Sequence, residues 1–250
     1  MIRNALRIIE PAARYREPQT VVSRETFYKY RISNMNTIQG LKLLLREFGI
    51  FPESEPGLKL QAFLSLLEKW NPRVNLTANI SWDALSPLFR EGIWAALNYP
   101  AECRAHLDIG SGAGFPAIIL RVFNTDMELD LVESRGKKGA FLETVAWELE
   151  LAGTFVHIKR LEDLLAEKEQ ENKIWDCISW KAVRLANRDI FRLFDFSDVK
   201  TRFWMFHGKE AAVEDSFSFF EKFTIDYKLP VPGLRESFLS ILRTGKFSVE

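Results

Sequence analysis

Between Thr37 and Phe48 the apolar residues Ile38, Leu41, Leu44, Leu45 and Phe48 recur at spacings of three and four. That period places them on one face of a helix, which Gly49 ends. A second helical run contains Leu58, Leu60, Phe63, Leu64, Leu66 and Leu67 and leads to Trp70, with Asn71-Pro72 as its expected stop. Trp82 to Leu97, rich in Trp, Leu and Ala, reads as a third helix in which Pro87 is the point of a break. Residues 36–100 are therefore expected to form a small helical cap, with its boundary at Tyr99-Pro100.

Past that boundary the pattern changes to short apolar runs alternating with longer helical ones, the mark of strand-helix-strand crossovers and a parallel sheet. Strands are predicted at Ala105 to Ile109, Glu128 to Glu133, Thr154 to Ile158, Trp175 to Ser179 and Arg202 to Phe206. Two further alternating runs, Phe223 to Leu229 and Ser237 to Leu242, flank the turn Pro230 to Gly233 and read as a hairpin at the sheet edge. Residues 101–250 are thus expected to form one α/β domain.

Composition narrows the classes. With 250 residues, 47% apolar and 27% charged, the chain can bury a full core. Its apolar stretches, such as Pro116 to Leu120, fall far short of the ~20 residues that cross a bilayer, so a soluble, cytoplasmic protein without a membrane role is expected. Two cysteines, Cys103 and Cys177, lack the number and spacing of a disulfide framework or a zinc site, and no metal is expected. Basic and acidic residues balance at 34 each, so charge alone does not select a nucleic-acid partner. Residues 1–34 differ, with seven Lys or Arg against three Glu, a net +4. They read as a basic extension without hydrophobic period, either an unstructured leader ahead of a start at Met35 or an arm that touches RNA.

The segment Leu107-Asp108-Ile109-Gly110-Ser111-Gly112-Ala113-Gly114-Phe115-Pro116 sets a buried strand, a glycine-rich turn and a helix start in succession. Glycines let the backbone turn sharply and approach a ligand, and the helix start presents free amides. The next strand ends in Glu133, 23 positions after Gly110, near the separation at which a carboxylate accepts the ribose hydroxyls of an adenosine-containing cofactor. Phe115 stands where the dinucleotide fingerprint requires a third small residue, which favours a methyl donor over a nicotinamide dinucleotide.

From about Trp70 to Lys209 the chain resembles the small-subunit ribosomal RNA guanine-N7 methyltransferase family, also called GidB or RsmG. Four blocks carry the likeness: Lys69-Trp70-Asn71 with Asn75-Leu76-Thr77; Asp108 to Pro116; Leu131 to Ser134 with Gly136-Lys137-Lys138 and Ala140-Phe141-Leu142; and Lys159 to Asp163 with Ser179 to Val183. The resemblance implies a Rossmann-like class I methyltransferase fold, a mostly parallel doubly wound sheet with an antiparallel edge hairpin, behind the N-terminal helical cap. It implies S-adenosylmethionine as cofactor, held by Asp108, Gly110, Gly112, Gly114, Phe115, Glu133, Leu161, Glu162 and Lys181. Within that set Gly110 and Phe115 would shape the pocket, Glu133 would take the ribose, and Leu161 and Glu162 would flank the adenine. The implied partner is ribosomal RNA or the small ribosomal subunit, met by a monomer.

Methyl transfer to guanine N7 needs neither base nor nucleophile, because N7 presents a lone pair and the sulfonium is an activated donor, so positioning dominates. Candidates for a part in catalysis are Lys181, where the family has an arginine, and His207, where it has a lysine nearby. Glu91 and Trp94 replace polar residues of the family pattern. These changes admit two alternatives, a non-catalytic RNA- or ribosome-binding relative and a small-molecule methyltransferase. Cys177, inside an apolar run without a preceding proline, reads as a small buried hydrophobe rather than a nucleophile. RNA contacts are expected from Arg90, Lys137, Arg184 and Lys209, with Lys138, Arg188, Lys200 and Arg202 beside them at the cofactor end of the sheet. Trp94, Trp180 and Trp204 are candidates for stacking on a flipped base, against the ordinary alternative of core packing.

Overall fold

The computed structural model describes residues 36–208, 223–234 and 237–244; the basic segment 1–35 and Lys209 lie outside the described residues. Three helices come first, α1 (Thr37–Glu47), α2 (Glu55–Val74) and α3 (Trp82–Leu97). Strands and helices then alternate through β1 (Ala105–Ile109), α4 (Ala117–Phe123), β2 (Glu128–Val132), α5 (Gly136–Glu148) and β3 (Thr154–His157). The second half runs α6 (Leu161–Lys168), β4 (Cys177–Lys181), α7 (Asn187–Phe194) and β5 (Arg202–His207), then the hairpin strands β6 (Phe223–Pro230) and β7 (Phe238–Thr244).

Both prolines expected to interrupt helices are carried inside them. Helix α2 runs past Pro72 to Val74 and ends where Asn75 turns left-handed at φ 51°. A proline so close to a helix end removes a single backbone bond from a turn about to finish, which the packed helix absorbs. Pro87 lies within the continuous helix α3. Asn36 starts α1 by accepting the Ile38 N–H at 2.9 Å.

The seven strands lie in the order β3-β2-β1-β4-β5-β7-β6. The first five are parallel, while β7 pairs antiparallel with both β5 and β6. Strand order reverses between β1 and β4, so their carboxyl ends open the crevice where such sheets hold ligands. Strand β4 starts two residues later than expected. Asp176 anchors the segment before it, accepting the N–H groups of Arg104 and Ala105 at 2.7 and 2.9 Å. The ladder gains its length at the far end, where Lys181 pairs with Phe206 of β5.

Alternation along the strands sorts the side chains onto two faces. Leu107, Ile109, Ile178, Trp180, Phe203 and Met205 join α6 and α7 in one apolar cluster. Leu129, Leu131, Cys177, Trp204 and Phe206 join the other cluster, which continues without interruption through α4 and α5 into the three N-terminal helices. The cap therefore shares its core with one face of the sheet. Helix α3 packs tightly on α4 at Gly92, where an added Cβ would stand 2.6 Å from Ile119 Cδ1 and 3.1 Å from Ile119 Cβ. Gly92→Val is expected to destabilise the protein by about 1–3 kcal/mol through overpacking at this seam. Denaturant unfolding reads the effect directly, and an unchanged midpoint would mean that the seam has room.

Candidate functional site at the carboxyl edge of the sheet

The chain leaves β1 through a loop that only glycine makes comfortably. Gly110, Gly112 and Gly114 have φ of 70°, 55° and 86°, in the left-handed region that Cβ-bearing residues resist. A Cβ at Gly110 would meet Val183 Cγ2 at 2.4 Å, and one at Gly114 would meet Ile118 Cγ1 at 2.6 Å. Around Gly112 the nearest atom is the carbonyl oxygen of Gly110, 3.7 Å away. Two glycines are thus backed by protein, and the middle one borders open space, which makes the loop a cradle.

Glu133, the residue after β2, fastens this cradle. Its Oε2 accepts the Gly112 N–H at 2.9 Å and its Oε1 accepts the Arg135 N–H at 2.8 Å. A carboxylate offers about four acceptor positions, so capacity remains for ligand hydroxyls. The amides of Gly110 and Ser111 reach Val132 O at 2.8 and 3.0 Å, tying the loop to the end of β2. Phe115 turns away from the crevice: its ring packs against Phe63 and Phe89 of the cap, both at 5.2 Å between centroids. Its place in the structure is as the anchor between loop and cap, and it shapes the pocket from behind.

Beneath the loop the cap-side face of the sheet is polar. His106 and Asp108 stand two apart on β1, and Ser179 faces them from β4; all three are buried. Burial pushes the His106 pKa down to about 3, so the imidazole is neutral and carries one proton. Ser179 Oγ donates to Asp108 Oδ1 at 2.6 Å, so it must accept from His106 Nε2 at 2.8 Å. That leaves Nδ1 to accept the Tyr99 hydroxyl at 3.0 Å. Every member has a partner, in one direction, from Tyr99 to a carboxylate lying under the glycine loop. Burial raises the Asp108 pKa to about 6, against the lowering effect of its hydrogen bonds and of the Lys181 charge. Lys181, the last residue of β4, donates to the carboxylate of Glu91 on α3. Glu91 is 3% exposed.

The remaining candidates are spread unevenly. Leu161 is buried at the start of α6, and Glu162 beside it meets Arg160 at 3.7 Å. Lys137 and Arg184 are exposed, the first in the opening turn of α5 after β2, the second in the loop after β4. Arg90 pairs with Glu47 and lies over the Phe48 ring, with its side chain against Gly233 in the hairpin turn. His207 has both ring nitrogens engaged, Nδ1 with Gly208 O at 2.8 Å and Nε2 with Ser240 Oγ at 2.9 Å, and stacks on Phe238. A base so committed has no free nitrogen to offer. Arg202 and Lys200 are not at the cofactor end at all. They stand at the amino end of β5, where Arg202 pairs with Glu102 at 2.7 Å. Trp180 and Trp204 are buried and unavailable for base stacking; Trp94 packs partly buried against the cap cluster.

The raised Asp108 pKa makes a pH prediction. Between about pH 4 and 6 the folded state holds a proton that the unfolded chain has released, so the contribution is complete below about pH 4 and fades as pH rises through 6. Asp108→Asn lacks this titration. Its stability relative to the unsubstituted protein should therefore increase between pH 4 and pH 7, by up to roughly 3 kcal/mol. Unfolding curves collected across that range test it, and parallel profiles would refute it.

Comparison with known proteins bears on this arrangement. Residues 58–223 match the GidB family, described as rRNA small subunit methyltransferase G. A "Ribosomal RNA small subunit methyltransferase G" of Bartonella bacilliformis is 32% identical over 157 residues, covering 61% of this chain and 70% of the relative. One of the same name from Streptococcus agalactiae is 28% identical over 213 residues, 78% of this chain and 86% of the relative. Among solved structures, the O-methyltransferase from Bacillus cereus in complex with SAH superposes with a TM-score of 0.54 at 16% identity, covering 73% of this chain and 91% of that one. The mitomycin 7-O-methyltransferase MmcR gives 0.52 at 14% identity over 73% and 60%. These structures share the fold, a Rossmann-like class I methyltransferase sheet, and the sequence match over about two thirds of the chain shows that it belongs to the GidB family.

Proposed function

We propose that the protein is an S-adenosylmethionine-dependent methyltransferase that methylates guanine N7 in small-subunit ribosomal RNA. The observation that carries the reading is the cradle: Gly112 borders open space at the switch point while its N–H is held by the Glu133 carboxylate. The donor set fits the group, since glycine backbone, a buried acidic strand end and apolar Leu161 match the polar and aromatic parts of an adenosine ligand. Glu133 takes the ribose hydroxyls, Leu161 and Glu162 border the adenine, and the loop around Gly110 and Gly112 admits the methionine end. Bound there, S-adenosylmethionine supplies an electrophilic methyl group on a sulfonium.

The chain's own residues need only bind and orient. Guanine N7 brings its lone pair, so no residue has to remove a proton before transfer, which agrees with His106 and His207 each being hydrogen-bonded through both ring nitrogens. Arg184 and Lys137 are exposed on the carboxyl edge, where cations support contact with RNA phosphates. Support for an RNA acceptor comes from family membership and from these cations.

The test is transfer of labelled methyl from S-adenosylmethionine to unmodified small-subunit RNA or subunits. Label recovered as 7-methylguanine is the expected result; label confined to small metabolites, or none, overturns the RNA reading. Glu133→Ala should weaken S-adenosylmethionine binding by about tenfold or more, the loss expected when a charged hydrogen-bond acceptor is removed. Titration calorimetry checks that figure, and an unaltered affinity would remove Glu133 from the site.

A further inference from the structure

A partly buried ion pair stands where the two halves of the crevice meet. Ile109 pairs with Trp180 across β1 and β4, so Lys181, the next residue and the last of β4, stands at the switch point. The Lys181 charge reaches the Asp108 carboxylate under the loop. Its partner comes from the other side: Glu91, on cap helix α3, accepts from Lys181 Nζ, and the side chains are 4% and 25% exposed respectively. Such a pair is a poor device for stability alone, because desolvating two charges cancels most of their attraction. It is also an odd place for a lone ammonium if the ligand of this crevice carries a sulfonium cation.

We propose that Glu91 is a positioning residue that balances the charge of Lys181, so that a cationic methyl donor can bind at the switch point beside a fixed ammonium. This inference rests on the methyl-donor reading above. Lys181 keeps its N–H donors, held in one direction by Glu91, while the pair presents no net charge to the sulfonium. Removing the Glu91 carboxylate makes the site one charge more positive, with Asp108 under the loop as the carboxylate that the Lys181 charge still reaches, in a partly buried site where like charges repel far more strongly than in water. Removing both partners restores neutrality at the cost of the donors.

The test compares S-adenosylmethionine with S-adenosylhomocysteine, which differ by one methyl group and the positive charge on sulfur. Calorimetric Kd values are measured for both ligands on the full chain and its variants. In Glu91→Gln the affinity for S-adenosylmethionine should fall by about three- to tenfold more than that for S-adenosylhomocysteine. Glu91→Asp should keep the original ratio, and Glu91→Gln combined with Lys181→Met should return to it. A purely structural role would weaken both ligands together, so an unchanged ratio in Glu91→Gln overturns the proposal. Should that variant fail to fold, Lys181→Met gives the opposite reading: an unpaired Glu91 carboxylate should favour the sulfonium, and a ratio that does not move in that direction overturns the proposal equally. If the unsubstituted protein binds neither ligand, the methyl-donor reading itself fails, which is a distinct outcome.

Discussion

The constraint on which the site depends is the left-handed backbone of the loop after β1. A chain that leaves a central parallel strand at the point of strand reversal must turn within a few residues and then begin a helix. Gly110, Gly112 and Gly114 supply that turn at positive φ. Val183 and Ile118 press on two of them so closely that a methyl group would not fit. What remains is one face of backbone, bordered by Gly112 and fastened by Glu133, open to a ligand. Phe115 then ties the loop to the cap through Phe63 and Phe89, so the cap helices stabilise the cradle.

A second consequence follows from strand alternation. Polar residues two apart on β1 and β4 fall on the same buried face, and burial demands that each be paired. The path from Tyr99 through His106 and Ser179 to Asp108 meets that demand with a single set of proton positions. Lys181 meets it by pairing with the cap through Glu91. The face toward α6 and α7 is largely apolar, with buried Asp130 held by His157 and Trp175, and on the other a polar stripe runs beneath the glycine loop.

Much of this was legible in the sequence. Period and glycine placement located β1 to the residue, the three cap helices and the loop, because each is decided by short-range pattern. Pro72 and Pro87 misled, since a packed helix tolerates the loss of one backbone bond. Strand β4 begins after Asp176, whose side chain binds backbone far away in sequence, a contact that no local pattern reports. Glu91 and Lys181 each depart from the family pattern, and only the fold makes them partners, 90 residues apart. A signal for the buried stripe was present all the same: His106 with Asp108, and Ser179 with Lys181, are polar residues at strand period inside otherwise apolar runs. Strand direction would likewise have removed Arg202 from the ligand edge, since it opens its strand, and in a parallel sheet ligands gather where strands end.

In the proposed site Gly112 is the open wall of the cradle. Its most direct test is a calorimetric titration of S-adenosylmethionine into the unsubstituted chain and into Gly112→Val, with circular dichroism as the check on folding. One-to-one saturable binding to the first, and its loss in a variant that remains folded, is the expected outcome. Equal affinity in both, or no heat of binding in either, would contradict it.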